Sequence, residues 1–188
     1  MEIKRLTVSD GDDVYELLQI LPADENGFIN KMNGRTREEF RQWLTACAAS
    51  AEKTEIEDGW RVPQAIYWLY KDGRPVGMGK LRYFLTDALR QSGGHIGYAI
   101  APEARGQGCA TALLTALLHE ATQRGIKCAL ITINNDNPAS IRVAQKCGGV
   151  IERVSEDHTY IWCDCRSLQN DPAHALRRVE CVWIKACP

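Results

Sequence analysis

The chain has 188 residues, 45% of them apolar and 25% charged, with a formal net charge of −1; one domain of that size buries roughly 70% of its unfolded surface without needing staples. Charge this evenly balanced, with no basic block, argues against nucleic acid as a partner. No stretch approaches the roughly 18 consecutive apolar residues of a membrane span, and the opening MEIKRLTVSD is too charged for a signal peptide, so a cytoplasmic protein is expected.

EIKRLTV reads as an opening strand. A helix follows in VSDGDDVYELLQIL, with Ser9 or Asp10 as N-cap and Val14, Leu17, Leu18 and Leu21 as its apolar side. PADENGFINKMNG is rich in breakers and reads as a loop. TREEFRQWLTACAASAEK then opens on a capping box of Thr36 and Glu39. Two β-rich runs, QAIYWLYK and RPVGMGKLRYFL, flank Asp72-Gly73 and predict a hairpin. After the connection TDALRQSGG, HIGYAIAP reads as a strand stopped by Pro102.

The longest predicted helix runs from Gly106 to Arg124, with Ala110, Leu113, Leu114, Leu117, Leu118 and Ala121 in one buried stripe and Gly125 as its stop. IKCALITIN has the continuous apolar character of a covered central strand, which makes that helix a crossover between two strands. NPASIRVAQKCGG predicts a further helix with Asn137 as N-cap, Pro138 at its first position and Gly148 past its end. VIERVS, HTYIWCDC and RRVECVWIKA read as three more strands. No repeat or linker divides the chain, so a single domain over residues 1–188 is expected.

Eight cysteines are many for a cytoplasmic chain, but Cys47, Cys109, Cys128, Cys147, Cys163, Cys165, Cys181 and Cys187 include no CxxC pair and no His pair at zinc-finger spacing. Free thiols and no metal are expected. Cys163 and Cys165 would share one face of a strand, an arrangement that permits metal binding without demanding it.

The stretch ARGQGCATALL, residues 104–114, sets Gly106 and Gly108 directly against a strongly helix-forming run. Strand, glycine turn and helix N-terminus together form an anion site, because the first helical turn presents unpaired N–H groups and the positive end of the dipole. Arg105 adds charge, and the glycines, with small Cys109 and Ala110 after them, let a phosphate approach the backbone. A tight strand-to-helix turn with no ligand is the alternative reading of two glycines alone. No Gly-Lys-Ser/Thr follows and the GxGxxG spacing is missing, so neither a Walker loop nor a dinucleotide fingerprint is present.

Here the chain resembles the GCN5-related N-acetyltransferase (GNAT) superfamily, whose coenzyme A loop reads Arg or Gln, two residues, Gly, one residue, Gly or Ala; Arg105, Gly108 and Ala110 fill it. Asn137, Ser140, Lys146 and Gly148 match that superfamily's second signature. VPQAIYWLY, GGHIGYAIAPEARGQGCATALL and DNPASIRVAQKCGGVIE also look like a bacterial group of predicted acetyltransferases with unassigned substrates. The likeness covers about residues 60–155.

The resemblance implies an α/β fold, a twisted mixed sheet of about six or seven strands flanked by helices and splayed at the acetyl-CoA site. It implies acetyl-CoA as donor, with pyrophosphate on the amides from Gln107 to Ala110, Arg105 and Gly106 shaping the turn, and Ile100 offering backbone groups near the thioester. Asn137 and Ser140 each have two roles open, helix capping and contact with pantetheine. The expected chemistry is direct attack of a neutral primary amine in a ternary complex. His95, at the start of the adjacent strand and in step with small Gly97 and Ala99, is the first candidate base; a histidine bonded to nearby backbone is the other reading. Ala144 stands where many relatives carry the Tyr that protonates the departing thiolate, so Tyr98, Tyr83 or Tyr160 would have to substitute, unless each is simply a packed sheet residue. Gly149 replaces the usual aromatic, a change expected to be one of packing.

For the acceptor, Asp24 and Glu25 with Trp60, Tyr67 and Trp68 suggest an acidic, aromatic mouth suited to a cationic amine, on a small molecule or, second, on a peptide or protein. A solvated loop is the plainer reading of the two acids. The rival to an enzyme is a non-catalytic coenzyme A binding module or sensor, and RRVECVWIKA could pair with a second copy to form a homodimer.

Overall fold

In the computed structural model, which describes residues 1–166, the chain opens with β1 (Glu2–Arg5) and α1 (Asp12–Ile20), the helix burying Val14, Leu17 and Leu18. Neither expected N-cap holds: Gly11 occupies that position without a side-chain bond. Asp10 is spent elsewhere, its Oδ2 accepting from the Trp68 indole N–H at 2.6 Å and from the Thr7 N–H at 3.2 Å. The expected loop at 22–34 contains a small hairpin, β2 (Asp24–Glu25) and β3 (Phe28–Ile29), turning on Asn26-Gly27. Helix α2 (Arg37–Ser50) carries the expected capping box of Thr36 and Glu39.

Strands β4 (Gln64–Lys71) and β5 (Arg74–Arg82) form the predicted hairpin about Asp72-Gly73. The connection after it folds into a one-turn helix, α3 (Asp87–Gln91), because the Thr86 hydroxyl caps the Leu89 N–H. Strand β6 (Ile96–Ile100) completes an antiparallel sheet in the order β1-β4-β5-β6. A 3-10 turn at Pro102–Ala104 leads to α4 (Cys109–Gln123), three residues shorter at its start than expected. Then come β7 (Cys128–Asn134), α5 (Pro138–Lys146), β8 (Val150–Val154) and β9 (His158–Asp164), the strands pairing antiparallel as β7-β9-β8.

The fold is thus the expected α/β arrangement, with seven principal strands in two groups of four and three and helices on both sides. Helix α4 covers one face of the first sheet with Leu113, Leu114, Leu117 and Leu118, each fully buried and each contributing roughly 2 kcal/mol. Helices α1 and α2 cover the other face through Leu17, Leu18, Phe40 and Leu44 against Ile66, Trp68 and Met78. Gly149 is a packing requirement: a Cβ there would lie 2.6 Å from Ile161 and 2.7 Å from the Ala144 carbonyl oxygen. Among the described residues no helix is long and apolar enough to cross a membrane. The strand predicted in RRVECVWIKA, and its pairing with a second copy, lie outside the described residues.

What positions the site is the junction of the two sheets. Strands β6 and β7, linked by the crossover α4, meet only at one end: His95 N–H donates to Leu130 O at 2.7 Å and Leu130 N–H donates to His95 Nδ1 at 3.0 Å. Gly94 permits that contact, since its φ is +57° and a Cβ would sit 2.4 Å from the Leu130 oxygen. Past Leu130 no ladder joins the two strands, and they diverge.

Candidate active site

The divergence opens a cleft of about 500 Å³ between Gly97–Ile100 on one side and residues 131–134 on the other, with the first turns of α4 and α5 at its rim. Backbone direction follows from the ladder. Arg82 N–H donates to His95 O and Ala101 N–H to Val76 O, so the odd-numbered residues of β6 face β5. By antiparallel alternation the N–H and C=O groups of Tyr98 and Ile100 face the gap.

The glycine turn lies at the open end. Gly106 and Gly108 have φ of 72° and 79°, both line the cleft, and a Cβ at either would meet nothing within 4 Å. The first helical bond of α4 is Ala112 N–H to Gly108 O, and among the described residues no backbone acceptor takes the N–H groups of residues 106–111. A row of unclaimed amides over open space, at the positive end of a 15-residue helix, suits a pyrophosphate. Cys109 is buried beneath it and Ala110 lines the opening. The Gln107 side chain turns aside, accepting from Lys71 Nζ and donating to Glu103 O, leaving its backbone N–H for a ligand.

Arg105 braces the turn from both sides. Its Nε donates to Ile100 O at 3.0 Å, and its two terminal nitrogens hold both Glu25 oxygens at 3.0 and 2.7 Å. Its charge is therefore answered within the protein. Further positive charge at the cleft comes from Arg142 and Lys146 on α5; Lys146 was matched on the family signature, whereas Arg142 was missed.

Asn137 caps α5, its Oδ1 accepting from Ser140 N–H at 3.1 Å, and both residues line the cleft. The Ser140 hydroxyl lies 2.7 Å from the Tyr98 hydroxyl. Burial pushes the Tyr98 phenol up to about 12, so it stays protonated at neutral pH and can donate a hydrogen bond. Ala144 is wholly buried. Tyr83 and Tyr160 hydroxyls are bonded to the Ala51 and Gln91 carbonyls, and neither lines the cleft.

His95 needs correction as candidate base. It stands behind the closed end of the gap, does not line the cleft, and its Nδ1 lone pair is taken by Leu130 N–H. In the neutral ring Nε2 then carries the hydrogen, so no free lone pair remains to accept a substrate proton. Burial, with Arg90 and Arg82 nearby, depresses its pKa to about 4.

Nor does the acidic, aromatic mouth assemble. Tyr67 is bonded to Glu120, Trp68 to Asp10, and Trp60 lines no part of the cleft. Glu25 is held by Arg105. The hairpin β2–β3 roofs one end of the cleft instead, bringing Phe28 within 3.5 Å of where a Gly97 Cβ would be. Lys80 crosses there from β5, its Nζ over the Phe28 ring at 4.3 Å and bonded to Ile29 O. Lys80 was missed, although a lysine in step with Met78 on the inward face of an apolar strand marks an interior charge.

Cys47, Cys109, Cys147, Cys163 and Cys165 are free thiols; Cys128 is not among them. Burial pushes Cys163 and Cys165 up to about 12, which keeps both protonated and poor as metal ligands. Among the described residues no three His, Cys, Asp or Glu side chains gather as a metal site.

The acetyltransferase (GNAT) domain family matches residues 1–150. Among solved structures, a GNAT-family acetyltransferase from Streptococcus pneumoniae is similar with a TM-score of 0.58 at 17% identity, over 86% of this chain and 96% of that one. A putative acetyltransferase from Salmonella typhimurium, solved with its cofactor acetyl-CoA, has a TM-score of 0.55 at 16% identity over 88% and 94%. A spermidine N-acetyltransferase chimera of Vibrio cholerae and human sequences has a TM-score of 0.58 at 12% identity over 90% and 98%. A comparison with curated proteins found no match.

Proposed function

The chain belongs to the GNAT acetyltransferase family, and on that footing we propose that it transfers the acetyl group of acetyl-CoA to a primary amine by direct attack in a ternary complex. The observation that carries this reading is a single continuous opening. It runs from the unclaimed amides of residues 106–111, past the inward-facing backbone of Ile100 and Tyr98, to the roofed space beside Gly97. A long donor fits the first two parts and an acceptor the third.

Gln107 to Ala110 and the glycines around them hold the pyrophosphate, with Arg142 and Lys146 adding charge; Asn137 and Ser140 border the pantetheine arm. Bound there, acetyl-CoA supplies an activated acyl carbon. The Ile100 N–H, facing the gap, stabilises charge that develops on the carbonyl oxygen, an interaction worth on the order of 3 kcal/mol. Tyr98, steadied by Ser140, donates a hydrogen bond to the departing sulfur in place of the tyrosine absent at Ala144. Its phenol, pushed up to about 12, is a weaker acid than a thiol of pKa about 8.5, so the thiolate takes its final proton from water.

Lys80 and Arg82 reach the cleft as cations, and like charge favours the neutral form of an incoming amine. The amine's proton then leaves through water in the cleft, with no imidazole required. Acetyl-CoA binding followed by calorimetry, with thiol release measured across an amine panel, tests the reading. Tight binding and turnover with at least one amine is expected; binding without turnover for any acceptor would make the protein a coenzyme A binding module.

A further inference from the structure

We infer that the acceptor carries a carboxylate or comparable anionic group beside its amine, and that Lys80 binds that group at the roofed end of the cleft. The inference rests on the acetyltransferase reading above and names the class of amine.

Three observations converge on it. First, Lys80 is placed for a ligand. It sits opposite Gly97 in the β5–β6 register and lines the cleft together with Gly97, Ala99 and Phe28. Second, its charge is unanswered. Its contacts are a carbonyl oxygen and an aromatic face, and among the described residues no carboxylate comes within ion-pair distance. Among the described residues the only acidic side chain lining the cleft is Glu25, held in two bonds by Arg105. Third, the neighbouring cation is in the same condition: Arg82 Nη1 donates to the Gly93 and Gly94 carbonyls, not to an acid.

A half-buried ammonium without a counter-charge is held at a cost. Desolvation, with Arg82 nearby, accordingly lowers the Lys80 pKa to about 8. A ligand carboxylate supplies the missing charge and further favours the protonated form. The same field opposes a polyamine, whose second ammonium would be brought next to Lys80 with no free acid to receive it. Amino acids and short peptides with free carboxyl ends have the required pairing of groups.

The test compares matched acceptors, each amino acid or dipeptide against its C-terminal amide, together with spermidine, by thiol release from acetyl-CoA. In the best pair the acid should exceed its amide in kcat/KM by about 30-fold, the effect of losing one partner of a buried charge pair. Lys80→Met should collapse that ratio toward one, and Lys80→Arg, which keeps the charge, should retain most of it. Thermal melting of both variants identifies a misfolded protein, and the Arg variant then carries the comparison. An acid-to-amide ratio near one in the wild type, better turnover of spermidine than of any acid, or a ratio unchanged in Lys80→Met would each overturn the inference while leaving acetyl transfer intact. Acetyl-CoA binding with no turnover of any amine would overturn the acetyltransferase reading and this inference with it.

Discussion

Replacing His95 by Gln separates a structural histidine from a catalytic one. The structure makes His95 the clasp between the two sheets, its Nδ1 accepting from Leu130 N–H at 3.0 Å in a site 7% exposed. Gln can offer an oxygen to the same N–H, so the variant should fold, at a loss of about 1 kcal/mol near neutrality from an imperfect bond and lost contact with Trp162. The acid side is more telling. The folded-state pKa is about 4 against an ordinary 6.5, so between those values the unfolded chain takes up a proton that the folded chain refuses. Stability therefore falls as pH drops below 6.5, by about 2–3 kcal/mol on approaching the folded pKa. Carboxylates titrate in both proteins and largely cancel in the difference. Urea unfolding of wild type and variant across this window should show the wild-type advantage shrinking and then reversing toward low pH. A difference that stays flat would refute the buried, neutral clasp. A pH–rate profile that loses its acid limb in the variant would restore His95 as the base.

Gly108→Val should weaken acetyl-CoA binding at least tenfold by calorimetry, because the new side chain enters the open space over the amides; the positive φ adds a stability cost of about 1–2 kcal/mol. Unchanged affinity would move the phosphate site elsewhere. Tyr98→Phe should lower kcat by about tenfold with little change in acetyl-CoA affinity, since only the hydrogen bond to the leaving sulfur is lost; wild-type turnover would remove the phenol from the reaction. Gly94→Ala sets a Cβ 2.4 Å from the Leu130 oxygen and should cost roughly 3 kcal/mol, seen as a fall in melting temperature of about 10 °C. An unchanged melting temperature would mean that the two sheets are not clasped at this point.

The caps and turns of the fold were legible because their determinants are local. Thr36 with Glu39, Asp72 with Gly73, and Asn137 with Pro138 each act over a few residues, and the structure returns all three as read. The glycine turn is local too, its conformation written in Gly106 and Gly108. His95 was misassigned because its decisive partner, Leu130, lies 35 residues away; period-2 reasoning sees which face a side chain takes and not which backbone it meets. Asp10 failed as a cap for the same reason, drawn to Trp68 across 58 residues. The roofed end of the cleft depends almost wholly on such distant pairs. Glu25 looked like a free acid until the fold brought Arg105 to it from 80 residues on, and Lys80 gained meaning only when Phe28 and Ile29 came to lie against it.

That Glu25–Arg105 pair explains how one short hairpin serves both halves. As an exposed ion pair it is worth at most about 1 kcal/mol, too little to matter to global stability. Its geometry matters more. Arg105 grips Ile100 O, at the open end of β6, with one nitrogen and Glu25 with the other two. On the opposite side a Cβ at Gly27, the hairpin tip, would lie 3.6 Å from Asn134 Oδ1 at the open end of β7. The hairpin therefore lies between the two arms of the divergence, and from that position lays Phe28 over Gly97 and against Lys80. The glycine turn before α4 and the hairpin roof over Gly97 are thereby held by one guanidinium, so on the proposed reading a change at Arg105 acts on the acceptor end of the cleft as well as on the donor end.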